Sequence, residues 1–215
     1  TTEIYTLSLH DALPISVNGR ISASFGSTIE ATGDLVLGDV NSYAGFASDG
    51  ELYTGSHTVT LSDRDVARLG TLTVLGAAGS PGTIVAAHSL TVDLGSTVAG
   101  YGTVDTPNLV TKALVNNGNV VGDSLAQPIT LDGYVKGVGT FDFVAFTGTY
   151  SPGLSPTRQQ IGSATLAGNS TLLVELGGME PGSQYDQLVA SGTLQLAGTL
   201  QVSLIDGFTP ALNDH

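Results

Sequence analysis

From Val17 onward the chain repeats one short pattern: a glycine, one or two residues drawn from Ser, Thr, Asn and Asp, then apolar residues at every second position. It appears as Gly26-Ser27-Thr28-Ile29, Gly33-Asp34-Leu35-Val36, Gly70-Thr71-Leu72-Thr73-Val74, Gly82-Thr83-Ile84-Val85, Gly95-Ser96-Thr97-Val98, Gly192-Thr193-Leu194 and Gly198-Thr199-Leu200. Successive side chains of a strand point to opposite faces, so such alternation predicts strands with one face buried and one in water. In Leu90-Thr91-Val92-Asp93-Leu94 the apolar residues share a parity that Thr91 and Asp93 do not. The same parity predicts that Leu172, Val174, Leu176, Leu194, Leu196, Leu200, Val202 and Leu204 share one core, with Thr171, Glu175, Gln195, Gln201 and Ser203 facing water.

Short strands that restart about every 6 to 24 residues mean a sandwich, a barrel or a solenoid. Three features favour an all-β, single parallel β-helix over a β-sandwich. The strands are very short, the turn glycine is nearly always followed by Thr or Ser, and no helical crossovers are available to cover a parallel sheet. In a solenoid each rung satisfies the backbone of the rungs above and below it. Threonine suits this stack because its branched Cβ favours extended backbone and its hydroxyl can ladder between rungs.

Local signals add three expectations. Ser62 to Gly70 reads as a two-turn corner helix, with Ser62 as N-cap, Asp65 three positions later, Arg68 in the last turn and Gly70 beyond it. Asn116-Asn117-Gly118-Asn119 reads as a turn. The Pro152-Gly153 to Pro156 loop, within Ser151 to Arg158, marks a soft boundary between an irregular stretch, 17–147, and a more regular module, 148–215. The first sixteen residues, TTEIYTLSLHDALPIS, lack glycine and period-2 alternation. They resemble translated sequencing-adapter read-through and are expected to be an artefactual or disordered leader.

Composition narrows the function. Nineteen Asp and Glu against six Lys and Arg give a net charge of −13, which repels nucleic acid and anionic membranes and excludes a nucleic-acid role. Charged residues make up 12% of the chain, about half the usual ~25%. There are no cysteines, hence no disulfide framework and no thiolate metal site. No apolar run approaches the ~18 residues of a transmembrane helix, and no basic-then-apolar segment marks a signal peptide.

Candidate chemistry is sparse. A serine nucleophile needs a base and an orienting acid. Of His10, His57, His88 and His215, only His57 and His88 lie within the repeat, and no Gly-x-Ser-x-Gly elbow occurs. A glycosidase needs two carboxylates across a cleft. The closest pair in sequence, Asp63 and Asp65, is already accounted for by helix capping. Calcium would take oxygen ligands from glycine-rich loops, with Asp39 and Asn41, Asp49 and Glu51, or Asp105 as candidates, none at EF-hand spacing. Glycan stacking would use Tyr43, Tyr53, Tyr101, Tyr134, Tyr150 or Tyr185, whereas Phe141, Phe143 and Phe146 read as core or a corner plug. The residues thus define no catalytic, cofactor-binding or metal site.

One resemblance rests on the C-terminal part. The segments concerned are Gly148-Thr149-Tyr150-Ser151-Pro152-Gly153-Leu154-Ser155-Pro156, Ser170-Thr171-Leu172-Leu173-Val174-Glu175-Leu176-Gly177-Gly178, Pro181-Gly182-Ser183-Gln184-Tyr185-Asp186-Gln187-Leu188 and Leu194-Gln195-Leu196-Ala197-Gly198-Thr199-Leu200. Together they resemble the terminal module of bacterial β-strand-repeat surface proteins of the autotransporter-like or PEP-CTERM type. The resemblance covers Tyr150 to Pro210 well and Phe46 to Asn108 more loosely. It implies export, a right-handed parallel β-helix and a non-catalytic structural or adhesive role at the cell surface, with extracellular glycans or other surface proteins as partners. The family defines no catalytic residues to carry over. Its modules continue past Gly207-Phe208-Thr209-Pro210 with a further strand, so the last apolar strand, Leu200 to Ile205, is expected to be exposed here and to promote self-association.

Overall fold

The computed structural model describes residues 4–7, 15–17, 28–37, 50–62 and 66–211. The chain winds into a parallel β-solenoid of about six turns, with the expected all-β architecture. Among the described residues the first face has seven strands: Ile4–Leu7, Thr28–Ala31, Glu51–Tyr53, Leu72–Val74, Thr97–Gly100, Asn119–Gly122 and Thr140–Asp142. The second has nine described strands: Ile15–Val17, Leu35–Leu37, Thr58–Leu61, Gly82–Ala86, Gly102–Asp105, Ile129–Asp132, Val144–Phe146, Ala164–Leu166 and Leu194–Gln195. The third runs through Ala67–Leu69, Leu90–Val92, Leu114–Asn116, Tyr134–Lys136, Thr149–Tyr150, Thr171–Leu176 and Thr199–Leu204. A parallel pair, Arg158–Ile161 with Gln187–Ala190, completes the later rungs. Register partners on neighbouring rungs lie from 15 positions apart, as Ile129 and Val144, to 30, as Ala164 and Leu194.

Pleat parity builds the core. On the second face Val59, Ile84, Val104, Leu131, Phe146 and Leu166 stack in register, one per rung, and all are buried. The outward column beside them is Thr58, Thr83, Thr103, Thr130, Ala145, Thr165 and Gln195. Phe141, Phe146 and Tyr150 fill one level of the interior, Phe141 meeting the other two rings edge to face at 5.5 and 5.6 Å. Phe143 instead sits half-buried at a corner with φ of +50°, where its N–H donates to Asp142.

The corners are held by side chains. Asn116 is fully buried; its amide donates to the Thr140 carbonyl at 2.9 Å and its Oδ1 accepts from the Gly118 N–H at 3.0 Å, so the predicted Asn-Gly turn is tied to the next rung. Gly137 and Gly153 exchange two backbone hydrogen bonds, which anchors the Pro152 loop on the rung below. Ladders continue across position 148: Tyr134–Lys136 pairs with Thr149–Tyr150, and Val144–Phe146 with Ala164–Leu166. Within the first sixteen residues, Ile4–Leu7 pairs in parallel with Thr28–Ala31, and a strand beginning at Ile15 pairs with Leu35–Leu37.

Two expectations are corrected. Ala67–Leu69 is a strand and not the end of a corner helix; residues 63–65 lie outside the described residues. Ala67 and Leu69 are buried, and the exposed Arg68 forms an ion pair with Asp93 at 2.7 Å, one rung away. Pairing with Leu90–Val92 buries two side chains, which outweighs a local capping preference of about 1 kcal/mol.

The C-terminal core set is also corrected. Leu172, Val174 and Leu176 pair with Leu200, Val202 and Leu204 as parity requires. Of the eight, however, only Leu172 and Leu194 pack against the buried core, while Leu196, Leu200, Val202 and Leu204 are 51–67% exposed. Parity chooses a face, but burial needs a rung on both sides, and no described strand lies beyond Thr199–Leu204.

Candidate functional site

The second face carries the most regular outward chemistry. Neighbouring rungs are about 4.8 Å apart, so Thr58, Thr83, Thr103 and Thr130 present four hydroxyls at that repeat. Their backbones are fixed by the ladder and their β-branched side chains are stiff at χ1. The next outward column runs Thr60, Val85, Asp105 and Asp132. Asp105 and Asp132 are register partners, and the Asp105 carboxyl is raised above the ordinary range by partial burial and then by the charge of Asp132.

A second acidic group lies among the later rungs. Asp186 is buried and accepts two backbone N–H bonds, from Thr157 at 2.9 Å and Glu175 at 2.8 Å. Desolvation raises its pKa, and the two N–H donors oppose that shift. Glu175 is raised by burial, then by the charges of Asp186 and Asp206. With both oxygens committed to the backbone, Asp186 braces the Pro156 loop against the strand Thr171–Leu176.

The sequence candidates are not brought together. Glu51 accepts bonds from the Tyr53 hydroxyl at 3.2 Å and Thr28 at 3.4 Å; Asp39, Asn41 and Asp49 lie outside the described residues. Among the described residues no group of three or more His, Asp and Glu side chains is arranged to hold a metal ion. His57 precedes the second-face strand Thr58–Leu61, and His88 lies in the corner before Leu90–Val92. Asp63, Asp65, Tyr43, His10 and His215 also lie outside the described residues. Tyr150 is wholly buried, so it is a core residue and not a sugar platform, and burial pushes its phenol up. Tyr53, Tyr101, Tyr134 and Tyr185 are half-buried.

Two depressions are lined by described residues. One, about 320 Å³, lies beside Thr140, Asp142, Gln160 and Ser191. There Asp142 is occupied by the N–H groups of Phe143 and Ser163 at 3.0 and 2.7 Å. The other, about 270 Å³, is mostly apolar and lined by Leu176, Met179, Tyr185, Phe208 and Pro210. The stacking of Asp105 and Asp132 escaped the sequence reading. Its signal was the repeated Thr-x-Asp of Thr103-Val104-Asp105 and Thr130-Leu131-Asp132, which becomes a neighbour relation only once the rung length is known. Comparison with protein-family models, with curated proteins and with solved structures finds no match to this chain. No described helix is long and apolar enough to cross a membrane.

Proposed function

We propose that the chain is a non-catalytic structural or adhesive module of a secreted or cell-surface bacterial protein. The observation that supports this reading is the threonine column Thr58, Thr83, Thr103 and Thr130. It offers preorganised hydroxyls along an extended face, suited to an extended partner such as a glycan or another surface protein. The resemblance of Tyr150 to Pro210 to bacterial β-strand-repeat proteins supports the same reading and implies export. The test is retention of the purified protein on insoluble polysaccharide and on bacterial cells. The triple variant Thr83→Val, Thr103→Val, Thr130→Val should lose most of that retention and keep its melting temperature. Equal retention of both proteins would remove the threonine face from the account. Antibody labelling of intact cells that make the protein tests surface display separately.

A glycan-cleaving reading is favoured by one observation, the register pairing of Asp105 with Asp132. The two carboxylates lie one rung apart on one face, and Asp105, raised by burial and by Asp132, would serve as the acid of a carboxylate pair. Release of reducing ends from a panel of polysaccharides, lost in Asp105→Asn and in Asp132→Asn, would establish cleavage and overturn the non-catalytic reading.

A further inference from the structure

We propose that the depression between Thr140–Asp142 and Arg158–Ile161 binds a single neutral sugar unit, held by the Asp142 carboxylate. It lies at a seam in the solenoid. Thr140–Asp142 is the last described strand of the first face, and Arg158–Ile161, the next strand along the stack, pairs instead with Gln187–Ala190. Separate bonds clasp the two strands: the Gly162 N–H donates to the Phe141 carbonyl at 2.7 Å, and the amide of the buried Gln159 donates to the Gly139 carbonyl at 2.5 Å. Residues of both strands line the depression, whose volume of about 320 Å³ is at the lower end of the ~300–1,000 Å³ of small-molecule sites. Asp142 is held there in one orientation. Its Oδ1 accepts the N–H groups of Phe143 and Ser163 at 3.0 and 2.7 Å, and no described hydrogen bond uses its Oδ2. The first of these bonds accompanies a φ of +50° at Phe143, a left-handed backbone that a bulky residue adopts only under constraint, and such strain clusters at ligand sites. Gly162 makes room for the carboxyl. Its backbone is not left-handed, and a Cβ there would collide with the Asp142 side chain.

The lining selects the class of ligand. Thr140, Gln160 and Ser191 are exposed there, and their hydroxyl and amide groups both donate and accept, as the hydroxyls of a sugar do. The Thr140 hydroxyl donates to Asn119 Oδ1 at 2.6 Å, which leaves its oxygen as an acceptor. Asp142 Oδ2 takes a hydroxyl proton in a charge-assisted bond. Val121, the register partner of Asp142 one rung below, adds an apolar wall for the C–H face of a ring. Among the described lining residues there is no Lys or Arg, so a chain of net charge −13 disfavours an anionic sugar. A calcium ion takes about six to eight oxygens, several of them carboxylate, whereas Asp142 is the single acid in this lining. The site does not use the threonine column of the second face. It therefore goes beyond the reading above and can fail without it.

Amide spectra of the full isotope-labelled chain, titrated to high millimolar concentration with glucose, galactose, mannose and N-acetylglucosamine, test the site. At least one of these sugars should shift the Phe143, Gly162, Ser163 and Ser191 amides saturably. Gln160→Ala, at an exposed position, should weaken that binding several-fold with an unchanged melting temperature. Asp142→Asn keeps the Oδ1 acceptor and removes the charge, and should weaken it further. The triple variant Thr83→Val, Thr103→Val, Thr130→Val should bind the sugar as the parent does. No saturable shift with any of the four sugars would overturn the proposal, as would binding that survives both Gln160→Ala and Asp142→Asn undiminished. A response to calcium chloride or to glucuronate in place of the neutral sugars would also overturn it. So would binding abolished by the triple threonine variant, which would put the sugar on the second face.

Discussion

Tyr150 lies flat on Phe146, ring centroids 4.1 Å apart and planes inclined by 12°, at the centre of the interior. Such stacking, with Phe141 edge-on to both, is worth about 0.5–1.5 kcal/mol per pair beyond area burial. The arrangement brings the Tyr150 hydroxyl into the core, where it has no hydrogen-bond partner. An unsatisfied buried hydroxyl costs about 1–3 kcal/mol. Tyr150→Phe keeps the ring and removes the cost, so it should raise the melting temperature by about 2–4 °C per kcal/mol recovered for a domain of this size. Thermal unfolding monitored by circular dichroism checks this, and a lower melting temperature would show that the hydroxyl is satisfied.

Rung spacing sets a second prediction. Gly133 has φ of +108°, and a Cβ there would collide with the Thr106 carbonyl oxygen on the rung below. Gly133→Ala is both strained and sterically blocked, and should cost well over ~1 kcal/mol. At Gly168 an added Cβ meets nothing within 4 Å, so Gly168→Ala should stay within about 0.5 kcal/mol of the parent. Parallel urea titrations compare the two, and equal stabilities would deny the close approach of rungs at Gly133.

Acid should stabilise the protein. Burial raises Asp105, Glu175 and Asp186 above their ordinary values of 3.8, 4.5 and 3.8, and neighbouring charge adds to the shift of Asp105 and Glu175. A raised carboxyl binds its proton more tightly in the folded chain than in the unfolded one. Its contribution is fully present below the ordinary value and is lost as pH climbs through the raised folded value. The melting temperature should therefore increase as pH is lowered through the raised values toward about 4, with the net charge of −13 acting in the same direction. Asp132→Asn removes one cause of the Asp105 shift and should flatten the profile. A melting temperature that falls on mild acidification would contradict these environments.

The in-and-out alternation of Thr83 and Ile84 was legible in the sequence, because strand parity is a property of the chain itself. Three other relations were not. The strand Ala67–Leu69 carries helix-terminal signals, and only its pairing with Leu90–Val92 decides against them. Leu200 has the alternation of a core residue, yet its burial depends on a neighbouring rung and not on its parity. Asp105 and Asp132 become neighbours through the lengths of the intervening corners, which period-2 patterning does not encode. Alternation also fits a sandwich as well as a solenoid; the shortness of the strands and the lack of helical crossovers separated the two.

The central claim is that successive rungs stack in parallel and in register, and inter-strand nuclear Overhauser effects in the labelled protein test it most directly. Thr83, Thr103 and Thr130 should be linked in that order by backbone cross-peaks of parallel pairing, with Ile84, Val104 and Leu131 linked alongside. Antiparallel cross-peaks, or a one-residue slip that sets Thr103 against Ile84, would contradict the solenoid and the threonine face built on it.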